Sequence, residues 1–411
     1  MGSFCYLPRV ASRLLERALR ASPVVVLMGA RQTGKSTLVQ SEPFLRDRTY
    51  LSLDDLETHE RARMAPDDLL RTAPRLILDE VQREPDLMLA VKRAVDADRP
   101  RRNGRFVLTG SSNLLLMRRV SESLAGRATY VKLWPLTRRE RLGLGAPGIW
   151  SVLFANPVPV WPDVVDSQQS IPIEWQDEVR RGGYPVPSVE LSSGDARALW
   201  FDGYLRTYLE RDLQSMAAIG NLIDFRRLMR AACLRLGTVV NQTGLGRDTR
   251  IPRATVQRYL NLLETSFQLV RLSPYAVNRT KRLVKSPKLY WSDPALALWL
   301  SGSGSPSGMH LESLVLSDLL AWRDCQFPAP EVLFWRTSTD LEVDFVIESG
   351  DRLLPIEVKA ATSPSYADTR GLRAFRQEYA DQFIGGLLLH GGVQTRWMSE
   401  QILAVPWWRV L

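Results

Sequence analysis

Residues 24–37 read Val24-Val25-Val26-Leu27-Met28-Gly29-Ala30-Arg31-Gln32-Thr33-Gly34-Lys35-Ser36-Thr37. An apolar strand runs straight into a Gly-x-x-x-x-Gly-Lys-Ser loop, and an amphipathic helix follows. Backbone N–H groups of Gly29, Ala30, Arg31, Gln32, Thr33 and Gly34 can cradle a polyphosphate. Lys35 reaches the β- and γ-phosphates, the Ser36 hydroxyl is placed to ligate Mg²⁺, and Thr37 lies beside it. The helix beginning near Lys35 points its positive dipole end at the same anion. A structural glycine turn is the competing reading, but the strand before and the helix after supply the context this motif needs.

Working outward, Leu76-Ile77-Leu78-Asp79-Glu80 is a short apolar strand ending in two carboxylates. In P-loop NTPases an Asp at this place holds Mg²⁺, and an adjacent Glu can polarise the attacking water. Asp79 is therefore the expected metal residue and Glu80 the expected catalytic one. A solvated acidic turn is the alternative. A third strand, Phe106 to Gly110, leads into Ser111-Ser112-Asn113, and Ser112 or Asn113 is placed to sense the γ-phosphate if the sheet is parallel. The alternation of strands (23–28, 49–53, 105–110, 129–133) with helices (35–41, 85–97) predicts such a sheet with helices on both faces. Asp54 and Asp55 fall on the rim where the nucleotide would lie.

At 411 residues the chain exceeds one ordinary core. It contains no apolar run long enough to span a bilayer and no signal-peptide pattern at its start, so a cytoplasmic protein with no membrane partner is expected. Three scattered cysteines (Cys5, Cys233, Cys325) and three scattered histidines (His59, His310, His390) fit neither a disulfide framework nor zinc-ligand spacing. The net charge of +9 is uneven. Residues 176–300 carry 19 Lys/Arg against 11 Asp/Glu, while residues 301–411 carry 9 against 14. The middle third is thus the candidate polyanion-binding part, with a solvated arginine-rich face as the alternative.

The expected divisions are an ATPase core over 1–145, a Pro- and Trp-containing linker or extended excursion over 146–177, a helical winged-helix segment over 178–300, and a final domain over 301–411. Ala198 to Met216 reads as a long amphipathic helix. Asn241 to Glu264 reads as helix, turn, helix, with a break at Ile251-Pro252 and Val256, Leu260 and Leu263 on the buried face of the second helix. Arg253, Gln257, Arg258 and Asn261 are left outward, where the helix could enter a major groove. The basic run Arg279 to Lys288, with Lys281, Arg282 and Lys285, reinforces a nucleic-acid contact; a helical lid or protein-packing module is the alternative. Ser301 to Gly308 is Gly/Ser-rich and marks a flexible boundary.

Beyond it, Glu312 sits on a helix, and Leu341 to Val346 pairs with Leu354 to Lys359 as a hairpin. Glu357 and Lys359 are two apart and share a face, with Asp344 on the paired strand. An Asp and a Glu on one face can bind one or two divalent cations while a Lys polarises water, as a metal-dependent phosphodiesterase requires. These residues resemble the Asp…Glu-x-Lys core of restriction-endonuclease-like folds, with Glu312 matching the extra helical acid. An ordinary hairpin with a surface Glu–Lys pair is the competing account.

Taken in order, Val26 to Ser36, Leu78-Asp79-Glu80-Val81-Gln82, Leu108 to Ser112, Leu124-Ala125-Gly126-Arg127, Gly182-Gly183-Tyr184-Pro185, Tyr208 to Asp212, Lys285 to Lys288 and the Asp344/Glu357/Lys359 set resemble a prokaryotic family of AAA-superfamily ATPases. Its members carry a C-terminal domain of unknown function. The resemblance covers nearly the whole chain except 146–177. It implies an α/β fold: a P-loop NTPase parallel sheet with helices on both faces, then a mostly helical winged-helix segment, then a restriction-endonuclease-like α/β domain. It also implies ATP and Mg²⁺ as cofactors. Related ATPases place an arginine finger where Arg127 stands, acting on a neighbouring subunit and so implying a homo-oligomer. A sensor within the same chain and a surface salt bridge are equal alternatives for Arg127. The expected activity is ATP hydrolysis coupled to DNA or protein binding, with an ATP-regulated nuclease and a nucleotide-gated, non-catalytic switch as rivals.

Overall fold

The computed structural model describes residues 6–111, 124–168, 170–207 and 219–411. Strands β1 (Val24–Gly29), β2 (Thr49–Ser52), β3 (Leu76–Asp79), β4 (Phe106–Ser111) and β5 (Ala128–Lys132) form a parallel sheet in the order β2-β3-β4-β1-β5. A wholly parallel sheet must be covered on both faces, and the continuous apolar run of β1 meets that requirement with every residue buried. Val25 and Leu27 pack with Leu15, Leu19 and Leu38 from helices α1 (Ala11–Ala21) and α2 (Lys35–Ser41). Val24, Val26 and Met28 face Leu87, Met88 and Val91 from α3 (Leu87–Ala97) on the other side. The register aligns Gly29 with Ser111, so the carboxyl ends of the central strands open on one edge.

Residues 146–177 are not extended. They fold into short helices at Trp150–Ala155 and Trp161–Asp166 and lead into α4 (Trp175–Arg181). Their prolines confine each helix to a turn or two, Pro162 occupying a first-turn position where its missing N–H costs nothing. Trp150 and Trp161 are fully buried, and the Trp150 indole donates to Asp318 at 2.6 Å.

The expected long helix from Ala198 is observed as Gly194–Tyr204; residues 208–218, including Tyr208 to Asp212, lie outside the described residues. Next come α5 (Leu222–Cys233), α6 (Gln242–Thr249) and α7 (Arg253–Thr265). The Asn241 side chain caps α6 by accepting from the Gly244 N–H at 2.8 Å, and Arg250 in a left-handed conformation turns the chain towards α7. Val256, Leu260 and Leu263 are fully buried, as the helical spacing requires. A two-stranded antiparallel ribbon follows, β6 (Leu269–Leu272) and β7 (Lys288–Trp291), with α8 (Arg279–Val284) between its strands.

Helices α9 (Pro294–Ser301) and α10 (Gly308–Arg323) precede strands β8 (Glu331–Arg336), β9 (Glu342–Ser349), β10 (Arg352–Lys359), β11 (Gly386–His390), β12 (Arg396–Ser399) and β13 (Ile402–Pro406). They form one mixed sheet, ordered β12-β13-β11-β10-β9-β8. The Gly/Ser stretch of residues 302–307 joins α9 to α10. Both helices are buried in a single apolar cluster that includes Trp150, Leu260, Leu296, Leu319, Leu387 and Trp407. Among the described residues no helix is long and apolar enough to cross a membrane.

Candidate nucleotide-binding site

The loop after β1 is held by backbone demands that few residues could satisfy. A first side-chain carbon at Gly29 would lie 2.2 Å from the Leu133 carbonyl oxygen, so only glycine fits there. Gly34 has φ +91° and caps α2 in the left-handed region that glycine enters without steric cost. Arg9 clamps the loop from outside: it donates to Thr33 O at 2.8 Å and Trp134 O at 2.7 Å, and pairs with Glu140 at 3.1 Å. Thr33 is buried with its hydroxyl on Ala30 O, whereas Arg31 and Gln32 are exposed and Ser36 and Thr37 half-buried.

Lys35 is 6% exposed, and its ammonium rests on the carbonyls of Gly29 (3.1 Å) and Ala30 (2.8 Å). Burial pulls its pKa down to about 8, opposed by the negative fields of Glu80 and Asp79. These three groups therefore share one locus at the carboxyl edge of the sheet. Asp79 is buried, accepting from Thr109 on Oδ1 and from the Tyr50 hydroxyl on Oδ2 at 2.5 Å. Glu80 has φ +57°, accepts from Gln82, and is raised in pKa by burial and by Asp79. Left-handed backbone at a bulky acidic residue is strain, and strain of this kind collects at functional sites.

A neutral-to-cationic cradle lined by main chain, with a lysine that has only carbonyls to rest on, fits a triphosphate. The Ser36 hydroxyl and Asp79 carboxylate are the hard oxygen donors that Mg²⁺ takes together with substrate phosphates and water. Ser112 and Asn113 lie outside the described residues. Asp54 pairs with Arg83 and adds its negative field at Glu80, whereas Asp55 caps the helix Leu56–Met64 by accepting from Thr58 at 2.8 Å.

Arg127 is at the opposite end of the sheet. Its carbonyl accepts from Val24 N at the start of β1, roughly 16 Å of strand away from Gly29. Its guanidinium pairs with Asp96 at 2.6 Å on the surface. A role as sensor on its own chain's nucleotide is thereby removed.

The chain just after α4 touches the loop directly. Pro185 lies 3.7 Å from where a side chain on Gly34 would begin. The Gly183 carbonyl accepts from Leu136 N at 2.7 Å, and its N–H donates to the buried Asp293 carboxylate at 2.6 Å. Asp293 in turn caps α9 through Leu296 N. Arg9, Tyr50, Thr109 and Asp293 carry no motif signal of their own; only the Gly182–Pro185 run hinted at this contact.

The C-terminal residues also assemble, though differently from expectation. Asp344 on β9 accepts from Val358 N of β10 at 2.9 Å, and Lys359 donates to Glu357 at 2.6 Å. Glu312 accepts from the Tyr290 hydroxyl at 2.7 Å. The buried ammonium of Lys288 enters this cluster, pairing with Glu342 and lying 3.6 Å from Asp344. Burial and carboxylate neighbours push Glu312 up to about 8 and Glu357 well above the ordinary range. Among the described residues no three His, Cys, Asp or Glu side chains are spaced to hold a metal ion. Glu312, Asp344 and Glu357 thus lie close enough to feel one another's charge, with Lys288 beside them as a counter-charge that the hairpin pattern did not signal.

Of the expected nucleic-acid contacts, Arg253, Gln257 and Lys285 line one open groove. Arg258 and Lys281 are exposed nearby. Arg282 is not a contact. Its guanidinium is buried, donates to Ala276 O at 2.7 Å, and pairs with Glu331 and Glu348, stapling α8 to β8 and β9. Lys288, from the same basic run, points inward as described.

Comparison with known proteins agrees with this geometry. Residues 21–142 match an AAA domain model; residues 173–307 and 307–410 match two domains of unknown function, DUF8612 and DUF4143. The uncharacterized protein Rv2008c of Mycobacterium tuberculosis is 30% identical over 410 residues, covering 97% of this chain and 83% of that one. An uncharacterized protein of Haemophilus influenzae is 22% identical, covering 88% and 89%. The Walker-type ATPase PABY2304 of Pyrococcus abyssi covers 72% of this chain and 99% of its own, at 15% identity and a TM-score of 0.43, too slight a likeness to bear on function. With its phosphate loop, parallel sheet and end-to-end match to the mycobacterial protein, the chain belongs to the family of Rv2008c, whose N-terminal part here is an AAA-type P-loop ATPase domain.

Proposed function

We propose that this protein is a Mg²⁺-dependent ATPase whose nucleotide state is passed to its C-terminal half. The observation that carries the reading is the convergence of Lys35, Asp79 and Glu80 at the edge where the strained, glycine-dependent loop opens. Lys35 leaves its two carbonyls to meet the β- and γ-phosphates. Ser36 and Asp79 hold Mg²⁺, which neutralises phosphate charge when bound. Glu80 orients the attacking water, and its raised pKa brings it closer to proton exchange with that water. Tyr50 and Thr109 fix the Asp79 carboxylate, acting as positioning residues. Arg127, paired with Asp96 at the surface of the far edge, would exchange that partner for a neighbouring subunit's γ-phosphate, which would make a homo-oligomer the active form.

The route to the C-terminal half runs from Gly34 through Pro185 and Gly183 to Asp293 and α9. The helix–turn–helix with its ribbon is read as a winged helix and the mixed sheet as restriction-endonuclease-like. No cleavage step is assigned to the latter, whose acids are partly neutralised by Lys288.

The test is phosphate release with ATP and Mg²⁺ by wild type and by Glu80→Gln. Wild type should turn over, and Glu80→Gln should bind ATP equally while turning over at least ~10²-fold more slowly. Equal, very slow release by both proteins would favour a switch that does not depend on hydrolysis.

A further inference from the structure

Two helix beginnings and a strand approach enclose an open groove of about 570 Å³ in the middle segment. Its floor is the 239–240 loop, pinned to the chain before β7 by the Val240 N–H on Pro287 O at 2.8 Å and by a bridge between Val239 and Lys288. Asn241, Gln242 and Thr243 form one wall, Arg253 and Gln257 of α7 another, and Lys285 the rim. No carboxylate lines it. Among the described residues neither Arg253 nor Lys285 has an ion-pair partner. This contrasts with Arg282 and Lys288 three residues either way, whose charges are consumed by buried carboxylates. Two cations left unneutralised in a concave, amide- and hydroxyl-rich wall attract a polyanion, and the surrounding segment carries 19 Lys/Arg against 11 Asp/Glu.

We propose that this groove seats the sugar-phosphate backbone of duplex DNA, with Arg253 and Lys285 each neutralising a phosphate. Gln257 and Arg258 are exposed on the adjoining face of α7, where the amide and guanidinium groups suited to reading base edges would meet the major groove. The assignment does not rest on ATP hydrolysis. It has a consequence for the carboxylate cluster: Gly237, at the base of the same loop, abuts Glu312, the oxygen lying 3.3 Å from its absent side chain. The loop that floors the groove thus also borders the carboxylate cluster.

The experiment is fluorescence anisotropy of the full chain with a labelled duplex of about 20 base pairs across a salt series. Wild type is expected to bind at low salt, with affinity falling steeply as salt rises. Arg253→Ala/Lys285→Ala should bind roughly tenfold or more weaker, and its log-affinity against log-salt slope should shrink by about 2. Arg61→Ala/Arg63→Ala removes the same charge from the ATPase domain and should leave both quantities unchanged. Thermal melting confirms that each variant is folded. Absence of duplex binding by wild type, or an unaltered slope and affinity in the groove variant, would overturn the assignment. Polyglutamate competing as tightly as duplex would overturn it too, assigning the groove to an acidic protein.

Discussion

ATP affinity should fall with rising pH, and Lys35 sets where. In the free protein its buried ammonium has only two carbonyls for partners, and its pKa is about 8 against an ordinary 10.5. A bound triphosphate would supply the missing counter-charge and raise that pKa, so binding favours protonated Lys35. Below pH 8 the free protein already holds the proton, and affinity is flat. Above it the proton must be taken up on binding, costing ~1.4 kcal/mol for each pH unit. Between pH 7 and pH 9 the affinity should therefore drop about tenfold. The same shift has a stability sign: the unfolded chain binds more protons between about pH 8 and 10.5, so the nucleotide-free fold gains stability as pH rises through that window. Titration with a fluorescent ATP analogue and Mg²⁺ at pH 7, 8 and 9 measures the first effect, with Lys35→Arg as a control whose charge does not titrate. A wild-type affinity constant across that range, or an equal slope in Lys35→Arg, would refute the reasoning.

Three further outcomes follow from buried or exposed arginines. Arg9→Ala leaves the buried Glu140 carboxylate with its backbone donors at Val10 and Thr137 but no counter-charge, and frees Thr33 O, so urea unfolding should register a loss of about 3 kcal/mol together with weaker ATP binding. Arg282→Ala should cost about 2–3 kcal/mol in the same measurement by stranding Glu348, while duplex affinity stays unchanged; a selective loss of DNA binding would return Arg282 to the contact surface. Arg127→Ala should keep ATP affinity and lose turnover, restored when it is mixed with Lys35→Ala subunits that supply the arginine; loss of ATP binding would contradict a role between subunits.

The phosphate loop was legible because its function is written in local backbone needs. Gly29 and Gly34 answer steric limits that any such loop imposes, and an apolar run such as Val24 to Met28 can only be a buried strand. The buried face of α7 followed from the spacing of Val256, Leu260 and Leu263 for the same reason. What escaped depends on contacts distant in sequence. Arg9 meets Thr33 and Glu140, and Tyr50 meets Asp79, across separations that no local pattern encodes. The basic run 279–288 looked uniform, yet Lys281 and Lys285 face solvent while Arg282 and Lys288 turn inward to acids on β8 and β9. A helix of two turns followed by a strand places neighbouring cations on opposite sides, and charge counting is blind to that. The prolines of 146–177 likewise signalled breaks correctly, but its tryptophans bury themselves through short helices that the proline density concealed.

The central claim is that the loop from Gly29 to Ser36, with Lys35, grips a nucleotide triphosphate. Calorimetric titration of ATP with Mg²⁺ into wild type and Lys35→Ala tests it most directly. Saturable one-site uptake by wild type that disappears in the variant is the predicted result; no uptake by wild type, or equal uptake by both, would contradict it.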